Sequence, residues 1–390
     1  MAEALITPRL VKWARDRYHL TDDIVANKIS VDVNRFRAWE RGEERPTLRQ
    51  AQTLAQKLNV PFGYLFLSVP PLEELPLPDL RTMSGVPPRT PSPELFDLLN
   101  DMLRKQQWYR EYQKSEGEQP IPFVGRFTSD DTPEKIATDI TDTLDINDDM
   151  RQESPNWELF LREFICRAED AGVLVMRSGI VGNNPYRKLN VYEFRGFAIS
   201  DDLAPIVFVN GNDWKAAQIF TLAHEFAHLW IGESGISNLD YMKRSFEQDN
   251  DIDRFCDQVA AEVLVPSTHF LLKWNDNNTT EDNLEELARL YKVSEFVVLR
   301  RAYEKDKLSF DEYQAHYQRL QARQRSKGTK GGGDFYVNLL ARNSSTLTRS
   351  LLVAVAEGRM PYRDAARLLN VKIKTLSDIQ SLLRKAFANA

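Results

Sequence analysis

The spacing of apolar and polar residues predicts five short helices in the first 67 residues. Thr7-Pro8 supplies a cap and a first-turn proline for a helix that reaches about Tyr18. Thr21 and Pro46-Thr47 mark two further helix starts, and Gly42 marks a helix end. The predicted elements cover residues 8–18, 22–28, 33–41, 48–58 and a last apolar turn over 62–67.

Prolines dominate the next stretch, where eight of them fall between residues 70 and 93 and predict an extended connector. Three Ser/Thr-Pro pairs then mark helix starts. Ser92-Pro93 opens a helix to about Gln113, and Thr132-Pro133 opens one that ends near Leu144. Ser154-Pro155 is expected to cap a third helix, which carries an apolar face.

The pattern then becomes strand-like and indicates a small sheet. A long apolar helix follows, capped by Asn212 or Asp213 and ended by Gly232, and a second helix runs from Asp253 to Pro266. The predicted strands are Val173–Met176, Leu189–Phe194, Gly196–Ser200 and Pro205–Val209.

The last third of the chain is predicted to be helical, with one flexible break at Ser326–Gly333. Tyr362–Leu376 has the pattern of a small helix-turn-helix. Its basic face suggests either nucleic-acid contact or a charged surface that docks a protein. The fold class expected for the chain is therefore α+β, mostly helical and multidomain. The predicted helices are Leu284–Tyr291, Glu295–Tyr303, Phe310–Arg325 and Asp334–Glu357, and the cations are Arg363, Arg367, Lys372 and Lys374.

Length and composition indicate the number of domains and argue against several classes of protein. The chain has 390 residues, 42% of them hydrophobic, so two to four domains with real cores are expected. No apolar run approaches the ~20 residues of a membrane span, and the N-terminus lacks the pattern of a signal peptide. Only Cys166 and Cys256 are present, which favours neither disulfides nor a cysteine metal site. A cytoplasmic protein without membrane contact is expected.

The clearest candidate for a catalytic or metal-binding motif is the sequence Thr221-Leu-Ala-His-Glu-Phe-Ala-His228. His224 and His228 are four residues apart, so on a helix their side chains share one face. This separation suits two imidazoles that bind one zinc ion. Glu225 would lie near the metal's open position, where its carboxylate can take a proton from water. The alternative is a helix that carries two histidines by chance.

A catalytic zinc site requires a third protein ligand. Asp253 and Asp257 are again four apart on a predicted helix, so one carboxylate can bind the metal while the other supports a ligand histidine. The alternative is a solvated acidic face, because four aspartates fall within residues 249–257. His269 is expected to be a surface or packing residue rather than a fourth ligand.

Residues from about Val191 to Pro266 resemble the ImmA/IrrE family of zinc metallo-endopeptidases. The marks are Arg195-Gly-Phe-Ala-Ile199, Val209-Asn-Gly211, the histidine helix, Phe255-Cys-Asp257 and Val259-Ala-Ala-Glu-Val-Leu-Val-Pro266. In that family the residue matching Asp253 is usually glutamate and acts as the third ligand. The side chain of aspartate is about 1 Å shorter than that of glutamate. Zinc–oxygen bond lengths tolerate an error of only about 0.2 Å.

Three outcomes follow from that departure. Asp253 binds zinc because its helix lies closer, Asp257 replaces it, or the metal is held weakly and activity is conditional. The first outcome is expected, with Asp257 as the second-shell residue or alternative ligand.

The first 67 residues resemble the XRE (lambda-repressor-like) helix-turn-helix family, on Leu20-Thr21, Trp39-Glu40, Gly42 and Pro46-Thr47 among other positions. The resemblance places the helix at about Asp32–Arg41 in the DNA major groove. The segment has 11 Lys and Arg against 8 Asp and Glu, a net charge of only +3. Use of the module for protein contacts or dimerisation is the alternative to DNA binding. The candidate DNA contacts are Arg35, Arg37 and Arg41.

The two resemblances together imply the following domain organisation. A helix-turn-helix domain of five helices at 1–68 and a proline-rich linker at 69–92 precede a zincin-like metallopeptidase domain at 93–275, whose core is 155–270. A helical extension at 276–325, a Gly/Lys linker at 326–333 and a C-terminal helix-turn-helix-like module at 334–390 follow.

The function expected from the resemblance is a regulatory, zinc-dependent endopeptidase. Its zinc would be held by His224, His228 and Asp253, with Glu225 as the general base. The expected substrate is a protein, either a helix-turn-helix repressor or the product of a neighbouring gene. The alternative is a DNA-binding regulator or antitoxin-like protein whose peptidase domain is only a binding scaffold. A zinc-stabilised structural domain is a third reading, disfavoured because no fourth ligand is evident.

Overall fold

The computed structural model describes residues 2–73, 75–78, 91–237, 251–326 and 334–379. These residues are mostly helical and include one small four-stranded sheet, so the predicted α+β class is confirmed. The chain divides into two compact units, and each is treated by itself. The first comprises Met1–Pro76 and Arg89–Asp97, and the second comprises Leu77–Pro88 and Leu98–Ala390.

The first unit contains the helices that its sequence pattern predicts. Thr47 forms a capping box with Gln50 at the start of the fourth helix, and Gly42 ends the third in the left-handed region at φ 76°. Phe36 and Trp39 are buried at the centre of its core. The elements are α1 (Pro8–Asp16), α2 (Asp22–Lys28), α3 (Val33–Arg41), α4 (Leu48–Lys57) and a 3-10 helix (Phe62–Phe66).

Four helices precede the sheet: α5 (Pro93–Glu116), α6 (Pro133–Thr143), α7 (Asp148–Glu153) and α8 (Trp157–Asp170). The prediction that Ser154-Pro155 caps α8 was wrong. Asn156 is the cap instead, and its side chain accepts a hydrogen bond from the backbone N–H of Leu159. The shorter α7 had not been predicted, because six residues give too little periodicity to recognise.

The sheet consists of β1 (Leu174–Ser178), β2 (Gly196–Ile199), β3 (Ile206–Asn210) and β4 (Gly235–Ser237), in the order β1-β3-β2-β4. β1 is parallel to β3, and β2 is antiparallel to both β3 and β4. The predicted strand over Leu189–Phe194 was wrong. Asn190 folds that segment into a turn, because its side chain accepts from Tyr192 N and its carbonyl accepts from Glu193 N.

Helix α9 (Lys215–Trp230) packs against β2 and β3 on one side and against α10 (Asp251–Leu264) on another. The predicted cap at Asn212 or Asp213 was wrong, since the N-cap is Trp214 and makes no side-chain cap bond. The Asn212 amide donates to two other backbone carbonyls, and Asp213 is paired with Arg195.

Seven further bounded helices follow in the second unit, and residues 373–379 are also helical. The predicted single helix over Asp334–Glu357 is broken at Ser344, which adopts φ 63° and caps the second piece. The expected break at Ser326–Gly333 lies outside the described residues, except for Ser326, which ends a helix. The helices are α11 (Ser267–Lys273), α12 (Thr280–Tyr291), α13 (Glu295–Glu304), α14 (Phe310–Ser326), α15 (Phe335–Asn343), α16 (Ser345–Ala356) and α17 (Tyr362–Leu368).

Within the described part of the chain, none of the helices combines the length and apolar character needed to cross a membrane.

Candidate metal centre

Helix α9 carries His224, Glu225 and His228 into the interior of the second unit. All three side chains have no exposed surface, because α9 is covered by the sheet, by α10 and by α6. The four-residue spacing brings the two histidines together as predicted, and their Nε2 atoms are 3.1 Å apart.

Asp253, near the start of α10, completes a cluster with the two histidines. Its Oδ1 lies 3.2 Å from Nε2 of His228 and 3.6 Å from Nε2 of His224. Bonds of about 2.0–2.1 Å in a tetrahedral arrangement place ligand atoms about 3.3 Å from one another. The three separations scatter around that value, so the side chains fit a zinc-sized cation without rearrangement.

Several buried atoms at this cluster lack a well-aligned hydrogen bond among the described residues, although Asp253 lies at ion-pair distance from both histidines and Glu225 interacts with Ser237. They are Oδ1 of Asp253, Nδ1 of His228 and both carboxylate oxygens of Glu225. Buried polar atoms are normally satisfied, and a cluster of exceptions indicates a missing ion or a catalytic role. The donor set of two imidazoles and one carboxylate is one that zinc prefers.

Asp257 lies one helical turn beyond Asp253 and contacts the other side of His224. Its Oδ1 is 2.9 Å from Nδ1 of His224, so Nε2 of that ring is directed at the cluster. A carboxylate on the far nitrogen fixes the orientation of a ligand histidine and raises its basicity. The two aspartates thus occupy different places: Asp253 faces both histidine Nε2 atoms, and Asp257 supports one ring.

The charges around the cluster favour a cation at its centre. Burial acts to lower the pKa of His224, but contacts with Asp253 and Asp257 outweigh it and raise that pKa to about 10. Burial lowers the pKa of His228, although Asp253 opposes this. Burial acts to raise the pKa of Asp253, yet its two histidine contacts lower it. The carboxylates around the two histidines therefore favour positive charge at the cluster, carried by a proton or by a bound cation.

Glu225 is held beside this cluster in an apolar setting. Burial raises the pKa of Glu225 to about 8, against a smaller lowering by His224. Its carboxylate also lies against the backbone of β2, since a Cβ on Gly196 would be 2.5 Å from Oε1 of Glu225. Glycine at position 196 is therefore what allows the strand and the glutamate to approach each other.

Two residues of the site were not singled out by sequence reasoning. Gly196 stood only within the Arg195–Ile199 segment, where nothing distinguished its role. Ser237, on β4, has its Oγ 3.3 Å from Nε2 of His224. A three-residue strand ending in serine gives no recognisable signal.

The remaining candidate residues lie apart from the cluster. Each arginine proposed for DNA contact forms an ion pair within the first unit: Arg35 with Glu44 at 3.2 Å, Arg37 with Asp22 at 2.9 Å and Arg41 with Glu43 at 2.7 Å.

His269 packs against the ring of Tyr291, whose hydroxyl is 3.2 Å from its Nδ1. It is not part of the cluster that could hold a metal ion among the described residues, which contains His224, His228 and Asp253.

A buried His-Glu-x-x-His helix, packed on a small sheet and faced by a carboxylate from the next helix, is typical of metallopeptidases. Residues 168–303 match the family model described as the IrrE N-terminal-like domain, Peptidase_M78. The matched residues include the whole cluster, and they support the ImmA/IrrE family for this part of the chain. Residues 343–379 match a second model, a domain of unknown function (DUF8813). No curated protein and no solved structure matches the chain.

Proposed function

We propose that the chain is a regulatory zinc-dependent endopeptidase that cleaves a protein substrate. The observation that carries the proposal is the convergence of three ligand atoms within 4.8 Å of one another, next to a fully buried glutamate. The match of residues 168–303 to a metallopeptidase family model supports the same reaction class.

In this proposal His224, His228 and Asp253 hold the zinc ion. Asp257 orients His224 through Nδ1, which leaves Nε2 available as the ligand. Bound zinc would supply a Lewis acid that polarises the scissile carbonyl and makes water more acidic. Helix α10 packs against α9, which supports the expectation that the shorter side chain of Asp253 reaches the metal.

Glu225 is the general base of the proposed reaction. Its carboxylate accepts a proton from the attacking water and can return that proton to the departing amine. Burial raises the pKa of Glu225 above its usual value, and a cation bound at the cluster would lower it again, towards the range in which a carboxylate acts as a base near neutral pH. Its oxygens accept no well-aligned hydrogen bond among the described residues, and its interaction with Ser237 leaves the carboxylate able to make this transfer.

The expected substrate is a transcriptional repressor or related regulator, including the product of a neighbouring gene. The XRE-type assignment of the first unit stays a prediction. Arg35, Arg37 and Arg41 are at least partly exposed and paired with acids of the same unit, so DNA binding would exchange these carboxylates for phosphates. Recognition of DNA and recognition of a protein both stay predictions for that unit. Cytoplasmic location and homodimer formation likewise stay predictions.

The alternative function is a DNA-binding regulator or antitoxin-like protein with the peptidase domain as a scaffold. A scaffold has no need for an ionisable side chain buried beside the cluster, because burying Glu225 has a cost in stability. The exposed cations Arg367, Lys372 and Lys374 of the C-terminal module are the feature that favours this alternative.

Zinc analysis of purified variants tests the metal part of the proposal. We expect about one zinc per chain in the wild type and in His269→Ala, and little in His224→Ala. His269→Ala is the matched control, since it removes an imidazole that lies outside the cluster. Equal zinc in His224→Ala and the wild type would refute the site.

A further inference from the structure

The outer edge of β4 is a candidate surface for an added strand. Among the strands of the described residues, β4 pairs with β2 alone, through Gly196↔Ser237, Phe197↔Ile236 and Ala198↔Gly235. It is the last strand in the sheet order, so its other side is an edge. Such an edge offers backbone N–H and C=O groups to an extended peptide.

This edge adjoins the proposed catalytic residues. The last residue of β4, Ser237, has its Oγ 3.3 Å from Nε2 of His224. Its partner across the sheet, Gly196, is the position where a Cβ would meet Glu225. One strand residue advances the chain by about 3.3 Å, so a peptide bound beside Ile236 lies within a residue or two of the cluster.

The described residues already place a segment of the chain on this edge. The N–H of Ile236 donates to the carbonyl of Pro78 at 3.1 Å. The preceding Leu77 is only 9% exposed, whereas Leu72, five residues earlier in the same proline-rich stretch, is 83% exposed. Leu77-Pro78 therefore packs within the second unit, of which it is a part. Its buried apolar side chain is that of Leu77.

The contact between Pro78 and Ile236 is weaker than the one that a substrate peptide could form at the same place. Residues directly opposed as a bonded antiparallel pair exchange two backbone hydrogen bonds. Pro78 has no N–H, so it can accept from Ile236 but cannot donate in return. A peptide residue with an N–H at the same place can make both bonds and displace the linker.

We propose that Leu77-Pro78 is an intramolecular occupant of the substrate-binding edge of β4, which an extended segment with an apolar residue must displace before it is cleaved. This inference rests on the proposed peptidase function and adds its regulation. A tethered occupant competes at an effective concentration of about millimolar, so cleavage is slow until a substrate or a partner removes it. The burial of Leu77 beside this contact also indicates the substrate class, an extended peptide with an aliphatic side chain.

The first test is amide hydrogen exchange of the full-length protein. Leu77→Asp is expected to expose the Ile236 amide and speed its exchange at least about tenfold, because its acceptor leaves. The Ser237 amide, which faces β2, is the internal control and is expected to stay unchanged. Leu72→Asp is the matched variant, with the same charge added to an exposed leucine. Unchanged exchange at Ile236 in Leu77→Asp overturns the inference.

The second test is binding of a fluorescent peptide with the sequence of residues 71–80, in a Glu225→Gln background that prevents cleavage. We expect the peptide to bind Leu77→Asp at least about tenfold more tightly than it binds the wild type or Leu72→Asp, since only the first has an open edge. Equal binding to all three proteins would show that the edge is not a peptide site. Leu77→Ala serves as the milder variant if the aspartate disturbs folding.

The two proposals fail in different ways. If both tests succeed but no protein is cleaved in a manner that depends on Glu225, the edge binds peptides and the proposed function is wrong. If cleavage depends on Glu225 but proceeds at the same rate in Leu77→Asp and Leu72→Asp, the peptidase stands and the intramolecular occupant does not.

Discussion

Asp253 and Asp257 are identical side chains on one helix that contact the histidines in different ways. Both reach the histidine helix, but Asp253 lies within 3.6 Å of both histidine Nε2 atoms, while Asp257 contacts only His224, at Nδ1. In the proposed metal site, this difference of one helical turn assigns Asp253 to the metal and Asp257 to the support of His224. The expected closer approach of α10 is compatible with these distances.

Substitution of each aspartate separates the two roles. We expect Asp253→Ala to lose zinc at neutral pH, because two imidazoles alone do not complete a zinc site. Asp257→Ala should keep zinc with an affinity about 10–100-fold lower, as for other residues that orient a ligand histidine. Zinc titration by competition with a chromophoric chelator measures both. Zinc that survives Asp253→Ala but not Asp257→Ala would reverse the assignment.

The metal-free protein should become less stable as the pH rises. The pKa of His224 is raised to about 10 from 6.5, so its contribution is complete below pH 6.5 and is lost towards pH 10. The pKa of Glu225 is raised to about 8 from 4.5, so stability also falls between those values as the unfolded state ionises first. We expect a lower urea midpoint at about pH 9 than at about pH 6 after zinc removal.

Saturating zinc is the control for that measurement, since metal binding requires deprotonated ligands and strengthens as the pH rises. A urea midpoint of the metal-free protein that increases from pH 6 to pH 9 would contradict the charge distribution described for the cluster.

At the scale of elements, the site depends on the close approach of β2 to α9. A Cβ at position 196 would lie 2.5 Å from Oε1 of Glu225, 2.6 Å from Cγ2 of Thr221 and 2.9 Å from the carbonyl of Phe208. The last of these is backbone of the neighbouring strand and cannot rotate away. The strand and the helix can therefore meet only where the side chain is absent.

Gly196→Ala is expected to destabilise the second unit by about 1–3 kcal/mol, the usual cost of overpacking, and to displace Glu225. Thermal unfolding and zinc content measure the two effects, and we expect zinc to be retained because no ligand is touched. Gly63→Ala is the matched control, because a Cβ there has no atom within 4 Å. Equal unfolding temperatures for the two variants would contradict the tight approach.

Most elements were predictable because their signals are local. The five elements of the first unit have caps, a stop glycine and regular spacing, and the i,i+4 histidines require only that α9 be helical. The predictions of elements that were wrong have causes that the local pattern of apolar residues does not show. An Asx turn at Asn190 overrode an apolar run, Ser344 broke a continuous helical pattern, and β4 is too short to show alternation. The contact of Ile236 with Pro78 joins distant parts of the chain and has no local signal.

At the scale of the whole molecule, polar contacts to residues distant in sequence hold the C-terminal helices α15, α16 and α17 against the rest of the second unit. Glu169, at the end of α8, accepts a hydrogen bond from the backbone N–H of Ser345 at the start of α16, and α15 packs on β1. Asn370 donates to the buried Asp101 of α5. Whether residues 334–390 form a separate domain stays a prediction.

Glu169→Ala is expected to loosen the start of α16, because it removes a carboxylate from a helix N-terminus at a cost of about 0.5–2 kcal/mol. Amide exchange at Ser345 and the next few residues should become faster. Glu163→Ala on the same helix is the control, since its carboxylate is about half exposed and pairs only with Arg167. Identical exchange in the two variants would mean that Glu169 does not hold the C-terminal helices.

The most direct measurement for the whole account is intact-mass analysis of a neighbouring-gene regulator co-expressed with either the wild-type chain or Glu225→Gln. We expect the regulator to be cut at one or a few peptide bonds by the wild type. It should stay intact with Glu225→Gln, while both purified proteins contain equal zinc. Cleavage of the regulator by zinc-loaded Glu225→Gln at the wild-type rate would contradict the assignment of Glu225 as the base and, with it, the proposed peptidase.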